Sequence, residues 1–250
     1  MRNRRQFLQD ASSATAGIFF VGCGLADSVF ATPQSGGAGK RRRVKVGGRP
    51  VTTIDLHCHV TMPEAWDLLK GDPNAINAQL GTTDPATPKG PQLDPRNVND
   101  RLAEMDQMGI DVQVVGVNPF WYRTERDVAR QIVKLQNEKI AEMCAAHPDR
   151  LVGMATTALQ FPDLAAEQLE DAVKKFGMRS TMIGGSINGE ELSAAKFNPF
   201  WAKAEELGAL IFIHPQGFPE GAKRFQGNGT LGNVIGNPLE TTVALSQQLY

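Results

Sequence analysis

Cysteine is scarce in this chain: Cys23, Cys58 and Cys144 are spread over 250 residues. They are too few and too scattered for a disulfide framework, so the two beyond the first thirty residues are expected to be free thiols. An excess of either charge is also missing, because 26 Lys plus Arg stand against 27 Asp plus Glu, a formal net charge of -1. That balance gives no electrostatic case for nucleic acid as a partner and leaves small molecules or proteins. Length does not require two domains, since α/β barrels of about 200 to 250 residues commonly form one.

What is present begins with a basic cluster. Met1-Arg-Asn-Arg-Arg-Gln-Phe-Leu-Gln9 sets Arg4 and Arg5 before Phe7 and Leu8, and an Ala, Gly, Ile, Phe and Val stretch runs on to Ala31. This has the form of a twin-arginine export signal with Val29 and Ala31 as a cleavage box, so residues 1–31 are expected to be removed on export to the periplasm or the exterior. An uncleaved membrane anchor is the rival reading. The segment is long enough, but its Ala, Ser and Gly content and Asp27 make it less apolar than a stable span, and none is expected after cleavage. Residues 32–50 are rich in Gly and polar residues with a basic block from Lys40 to Arg43, and read as a flexible linker with solvated charges.

From Val51 short apolar runs alternate with longer helical ones, the pattern of βα units around a parallel sheet. Five units are predicted. Their strands are Thr52–His59, Val112–Val117, Leu151–Ala158, Ser180–Ile187 and Ala209–His214. Helices are expected over Asn97–Met108, Asp127–Ala146, Leu164–Phe176 and Pro199–Leu207, with Gly109 and Gly208 as stops and Val128, Ile132, Leu135 and Ile140 as a core stripe. A further helix is expected from Glu240 to Tyr250. The segment from Glu64 to Leu93 is broken by Gly and Pro and predicts an irregular insertion, either a substrate loop or disorder.

The run Ile54-Asp-Leu-His-Cys-His59 carries the chemistry. A strand's two-residue period puts His57, His59 and Asp55 on one face, with Leu56, Cys58 and Val60 facing an apolar layer, so Cys58 is a poor ligand candidate. Two readings fit an isolated His-x-His: a pair of metal ligands, or ordinary polar residues at a strand end. His214 ends the almost wholly apolar run Leu210-Ile-Phe-Ile-His, and catalytic residues of (β/α) barrels gather at the C-terminal rim. Neutral imidazoles there suit Zn²⁺ or another borderline divalent ion. His147-Pro148 closes a helix at the opposite rim and is read as structural.

Together, Ile54-Asp-Leu-His-Cys-His59, Phe120-Trp-Tyr, Arg130 with Asn137-Glu138, His147-Pro-Asp-Arg-Leu-Val-Gly153, Phe197-Asn-Pro-Phe-Trp201 and Ile211-Phe-Ile-His-Pro215 resemble the amidohydrolase superfamily. The branch they are most similar to is the aminocarboxymuconate-semialdehyde decarboxylase-like group, and the likeness runs from about Val51 onward. It implies a metal-dependent (β/α)8 TIM barrel in which His57, His59 and His214 match three histidine ligands of a divalent metal, Zn²⁺ first, with Mn²⁺ or Fe²⁺ as alternatives. It further implies a decarboxylase or hydrolase acting on a small aromatic or unsaturated carboxylate, and a homodimer as in the family. Trp121, Tyr122 and Arg123 are expected to stack on and anchor that substrate, with packed loop aromatics as the alternative.

The sequence departs from the family in one respect. The family's acid/base histidine and its metal-binding aspartate, at the ends of the sixth and eighth strands, have no counterpart here and are expected to lie beyond Tyr250. The chain is therefore expected to be a truncated barrel of about five βα units with an exposed sheet edge, inactive by itself. A non-catalytic binding module derived from such an enzyme is the competing expectation.

Overall fold

The computed structural model describes residues 41–69, 97–119, 121–227 and 229–249, all within one compact unit, Ala38–Tyr250. The export segment, residues 32–40 of the linker, most of the predicted insertion after Leu69, and Tyr250 lie outside the described residues. None of the described helices is long and apolar enough to cross a membrane.

Two short strands, β1 (Lys45–Val46) and β2 (Arg49–Pro50), form a hairpin that turns at Gly47 and Gly48. Five parallel positions follow: β3 (Ile54–His59), β4 (Val112–Gly116), the pair β5 (Leu151–Gly153) and β6 (Ala155–Thr156), β7 (Ser180–Gly184) and β10 (Leu210–His214). Each lies beside the next in chain order, as βα units require. The predicted third strand is broken at Met154, so that β5 pairs with β4 while β6 pairs with β7. The predicted fourth strand also ends early. Beyond Gly184 the chain turns into a small antiparallel hairpin, β8 (Ser186–Ile187) with β9 (Glu190–Glu191), reversing at Asn188 and Gly189 in the left-handed region.

Helices α1 (Ala65–Leu69), α2 (Val98–Met108), α3 (Arg126–Ala146), α4 (Pro162–Phe176), α5 (Asn198–Leu207) and α6 (Asn237–Leu249) complete the main elements. Sequence chemistry sets their ends. In α4, Pro162 fits the first turn, where its missing N–H has no intrahelical partner, and left-handed Gly177 stops the helix after Lys174 and Lys175. Leu164, Ala165, Leu169 and Ala172 are buried on its inner side. Asn137, buried on α3, fastens that helix to the sheet by taking the Thr156 N–H at 2.8 Å and donating to the Thr156 carbonyl at 3.0 Å.

The core has an outer and an inner layer. Between helices and sheet pack Ile132, Leu164, Leu169, Phe197 and Phe200, each completely or almost completely buried, at about 1.5–3 kcal/mol per side chain. Inside the curled sheet, Val114, Met154 and Met182 pack with Phe212.

The linker expectation is corrected from Arg41 onward. The Arg41 guanidinium pairs with Asp111 at 2.5 Å, the Arg42 N–H reaches the Asp106 carbonyl at 2.9 Å, and the chain docks under the N-terminal ends of the strands. A basic residue with a buried-side carboxylate within reach is held, where an isolated one would stay solvated.

Candidate metal centre

The three predicted histidines meet. His57 and His59 end β3, and His214 ends β10 beside Gly184 of β7 in register. Their Nε2 atoms face one another, His57 to His59 at 3.1 Å and His59 to His214 at 3.2 Å. The rings stand nearly perpendicular, with centroids 4.8 to 5.1 Å apart. Among the described residues this is the cluster of ligand-type side chains that could hold a metal, its donor atoms all within 4.8 Å of each other. Three imidazole nitrogens aimed at one point suit a cation better than one another, because a neutral imidazole presents one lone pair and one N–H.

Burial holds these rings neutral. It draws His59 down to about 3, helped by the positive potentials of His214, His57 and Arg101, and His214 to about 4, with His57 contributing. His57 is lowered by burial as well, and the Asp55 carboxylate opposes the effect. Metal binding needs the deprotonated ring, so near neutral pH none of the three gives up a proton to accept an ion. The residues present therefore fit a divalent metal.

β3 is not a regular strand. Asp55 is level with Gln113 and Cys58 with Val115, so three steps on β3 match two on β4, a bulge at Leu56 and His57. Two expectations fail because of it. Asp55 does not face the cluster: its Oδ1 accepts the His57 N–H at 3.1 Å and its Oδ2 accepts from Gln113 Nε2 at 3.2 Å. Leu56 is 49% exposed on an outer edge that no described strand covers, instead of facing an apolar layer. Cys58 and Val60 are buried as predicted. The Cys58 thiol is pushed up to about 11, chiefly by burial, which the Arg101 guanidinium only partly offsets, so it stays protonated.

Arg101 and Gln113 gave no signal in the sequence. Arg101, on α2 and 3% exposed, donates to the His59 carbonyl at 2.7 Å, the Cys58 sulfur at 2.8 Å and Gln113 Oε1 at 3.1 Å. Glu240 of α6 is a third such residue. Its buried carboxylate accepts the N–H groups of Gln216 at 2.5 Å and Gly217 at 2.9 Å, securing the turn that follows His214, while burial raises its pKa. A Cβ on Gly185 would sit 2.9 Å from Glu240 Oε1, so the carboxylate reaches this turn across a glycine.

The aromatic residues predicted to hold substrate are placed differently. Trp121 and Tyr122 are buried in the layer between helices and sheet, with Ile132, Leu164 and Phe197. Tyr122 accepts the Gly184 N–H at 3.1 Å, and burial raises its hydroxyl pKa. Arg123 is exposed. The helix that follows, α3, draws both rings inward because together they remove a large apolar area from water. Among the described residues, the aromatic ring beside the cluster is Phe212, its centroid 5.2 Å from that of His57 and two residues before His214 on β10.

The chain is similar to several known decarboxylases. A curated gamma-resorcylate decarboxylase of Rhodococcus jostii is 33% identical over 131 residues, 46% of this chain and 39% of that protein. The 2-amino-3-carboxymuconate-6-semialdehyde decarboxylase of Dictyostelium discoideum is 26% identical over 152 residues, 60% of this chain and 42% of its own. The chain thus spans about two fifths of the curated relatives it matches. Its fold is similar to that of 5-carboxyvanillate decarboxylase from Sphingomonas paucimobilis, with a TM-score of 0.67 at 23% identity, over 79% of this chain and 62% of that one. A dihydroxybenzoic acid decarboxylase from a Polaromonas species, solved with manganese and 2-nitroresorcinol, has a TM-score of 0.61 at 25% identity, covering 78% and 59%. The family model described as Amidohydrolase matches residues 54–242, from the start of β3 into α6, and the chain accordingly belongs to that family, with a fold of its TIM-barrel type.

Proposed function

We propose that the chain carries the metal-holding part of a carboxy-lyase acting on small aromatic or unsaturated carboxylic acids. The observation that carries the reading is the convergence of three neutral imidazoles, with Nε2 atoms within 4.8 Å, at the C-terminal ends of β3 and β10. His57, His59 and His214 would hold a divalent ion, zinc by the preference of imidazole or manganese as in the Polaromonas structure, and the ion would supply Lewis-acid polarisation of a carboxylate or neighbouring oxygen. Phe212, beside His57 and packed on the inner layer, gives the mouth an apolar wall for an aromatic ring. The protonated Cys58 thiol stays out of the ligand set. That both relatives above are decarboxylases favours decarboxylation over hydrolysis.

A second reading, a module without activity of its own, is favoured by the exposed apolar side chains Ile54 and Leu56 of β3, Leu210 of β10 and Leu245 and Leu249 of α6. Export through the residues around Arg4 and Arg5 is part of the proposal and rests on the sequence pattern alone. The test is to load the purified chain with Mn²⁺ or Zn²⁺ and offer dihydroxybenzoic acids and aryl esters. Metal bound by the wild-type chain and lost in His214→Ala is the expected result. Carbon dioxide release would add turnover to the reading, ester hydrolysis without carbon dioxide would replace it by a hydrolase, and a chain that binds no metal would favour the module.

A further inference from the structure

The mouth end of β3 is held by a chain of side chains. Arg101 donates to the His59 carbonyl at 2.7 Å and to Gln113 Oε1 at 3.1 Å. Gln113 Nε2 donates to Asp55 Oδ2 at 3.2 Å, and Asp55 Oδ1 accepts the His57 N–H at 3.1 Å. The two backbone groups that bracket the His57-Cys58-His59 segment are thereby gripped from one continuous network. Its polarity is fixed, because a guanidinium only donates and a carboxylate only accepts, so the Gln113 amide between them has one satisfactory orientation.

The bulge gives the network something to do. Between Asp55 and Cys58 the pairing of β3 with β4 slips by one residue, and there the sheet ladder does not specify where the His57 side chain goes. Side-chain bonds to the His57 N–H and the His59 carbonyl define the twist of the segment in its place. The Cys58 sulfur, 2.8 Å from Arg101 Nη1, locks the residue between the two imidazoles to the opposite side.

We propose that Arg101 is a positioning residue which, through Gln113 and Asp55, sets the bulged segment up to His59 in the geometry that lets the His57 and His59 imidazoles share one ion with His214. The proposal rests on the metal-centre reading above and adds to it the residues that act behind the ligands. Partners that orient metal ligands typically change metal affinity by about 10- to 100-fold when removed.

The test is a Co²⁺ titration of the full chain, reading affinity and the visible d–d absorption at saturation, which reports coordination geometry. Arg101→Lys keeps the charge and loses the planar fork, so a loss of affinity in it is geometric. Asp55→Asn keeps the volume but places an amide donor against Gln113, breaking the polarity of the network. Both are expected to weaken Co²⁺ binding about tenfold or more and to alter the absorption envelope, while Ile140→Val in the core changes neither. Folded Arg101→Lys with wild-type affinity and spectrum would overturn the proposal. Should Arg101→Lys fail to fold, Asp55→Asn decides: the same losses support it, and wild-type behaviour overturns it. A wild-type chain that does not bind Co²⁺, or His59→Ala that binds it equally well, would instead remove the metal-centre reading on which the proposal stands.

Discussion

The two ends of the same parallel sheet are built on opposite principles. At the mouth, three imidazoles are neutral, the buried His59 and His214 held down to about 3 and about 4 and the more exposed His57 lowered as well. At the floor, full charges are paired: Arg41 with Asp111 at 2.5 Å and Arg150 with Asp106 at 2.8 Å. Asp111 also takes the Thr53 N–H at 2.8 Å, the largest of several effects that lower its pKa. The floor ties strand starts together where water still reaches the charges. The imidazole cluster excludes protons, which leaves nitrogen lone pairs available, while the charged groups beside it, Arg101 and Glu240, are turned onto backbone groups. Ion pairs at the floor and neutral rings at the mouth match the division between ends described for (β/α) barrels.

The largest expected break in this comparison is Trp121→Ala. Trp121 is fully buried behind the mouth, and its loss should destabilise the chain by about 3–5 kcal/mol in urea unfolding. A small effect on stability with a large one on substrate affinity would return Trp121 to the pocket. Next, counted per pH unit, comes acid, which should attack the mouth. His59 and His214 stay neutral in the folded chain but take up protons below about 6.5 once unfolded. Their contribution is therefore complete above pH 6.5 and is lost as pH falls toward 4. The loss is about 1.4 kcal/mol per pH unit for each ring, and His59→Gln should flatten the slope in pH-resolved melting. A slope unchanged in that variant would mean other groups set it.

Salt should reverse the order of the two ends. Arg150, with only 11% of its side chain exposed, also donates to the carbonyls of Ile110 and Asp111, so Arg150→Ala should cost about 1–3 kcal/mol and reduce the salt sensitivity of unfolding. The smallest effect is expected on the outer helix surface, where removing the exposed Lys134 and Glu138 pair should cost about 0.3–0.5 kcal/mol in a double-mutant cycle. An effect of Glu138→Ala as large as that of Arg150→Ala would mean that the floor has no special standing.

Much of this was legible without coordinates. The helices α3 and α5 begin within one residue of their predicted starts and end as expected. His57, His59 and His214 were each placed at a strand end, because strand and helix periods and their Gly and Pro punctuation are local properties. Residues whose role depends on which way an element is rotated were not legible. Arg101 reads as an ordinary charged residue on a helix until α2 is laid against β3, and Gln113 as a polar interruption in an apolar strand. Trp121 and Tyr122 read as a rim motif until α3 draws them inward, and Arg41 as one charge in a solvated run until Asp111 lies beside it.

The sequence by itself determined the βα order, the placing of the imidazoles at strand ends and the burial of Cys58 on the other side of its strand. Each of these follows from side-chain period and composition over a few residues. Only the tertiary structure decided that His214, 155 residues away from His59, comes to 3.2 Å from it. That approach depends on how the strands curl together, on a bulge that breaks the two-residue period, and on a buried guanidinium gripping the His59 carbonyl.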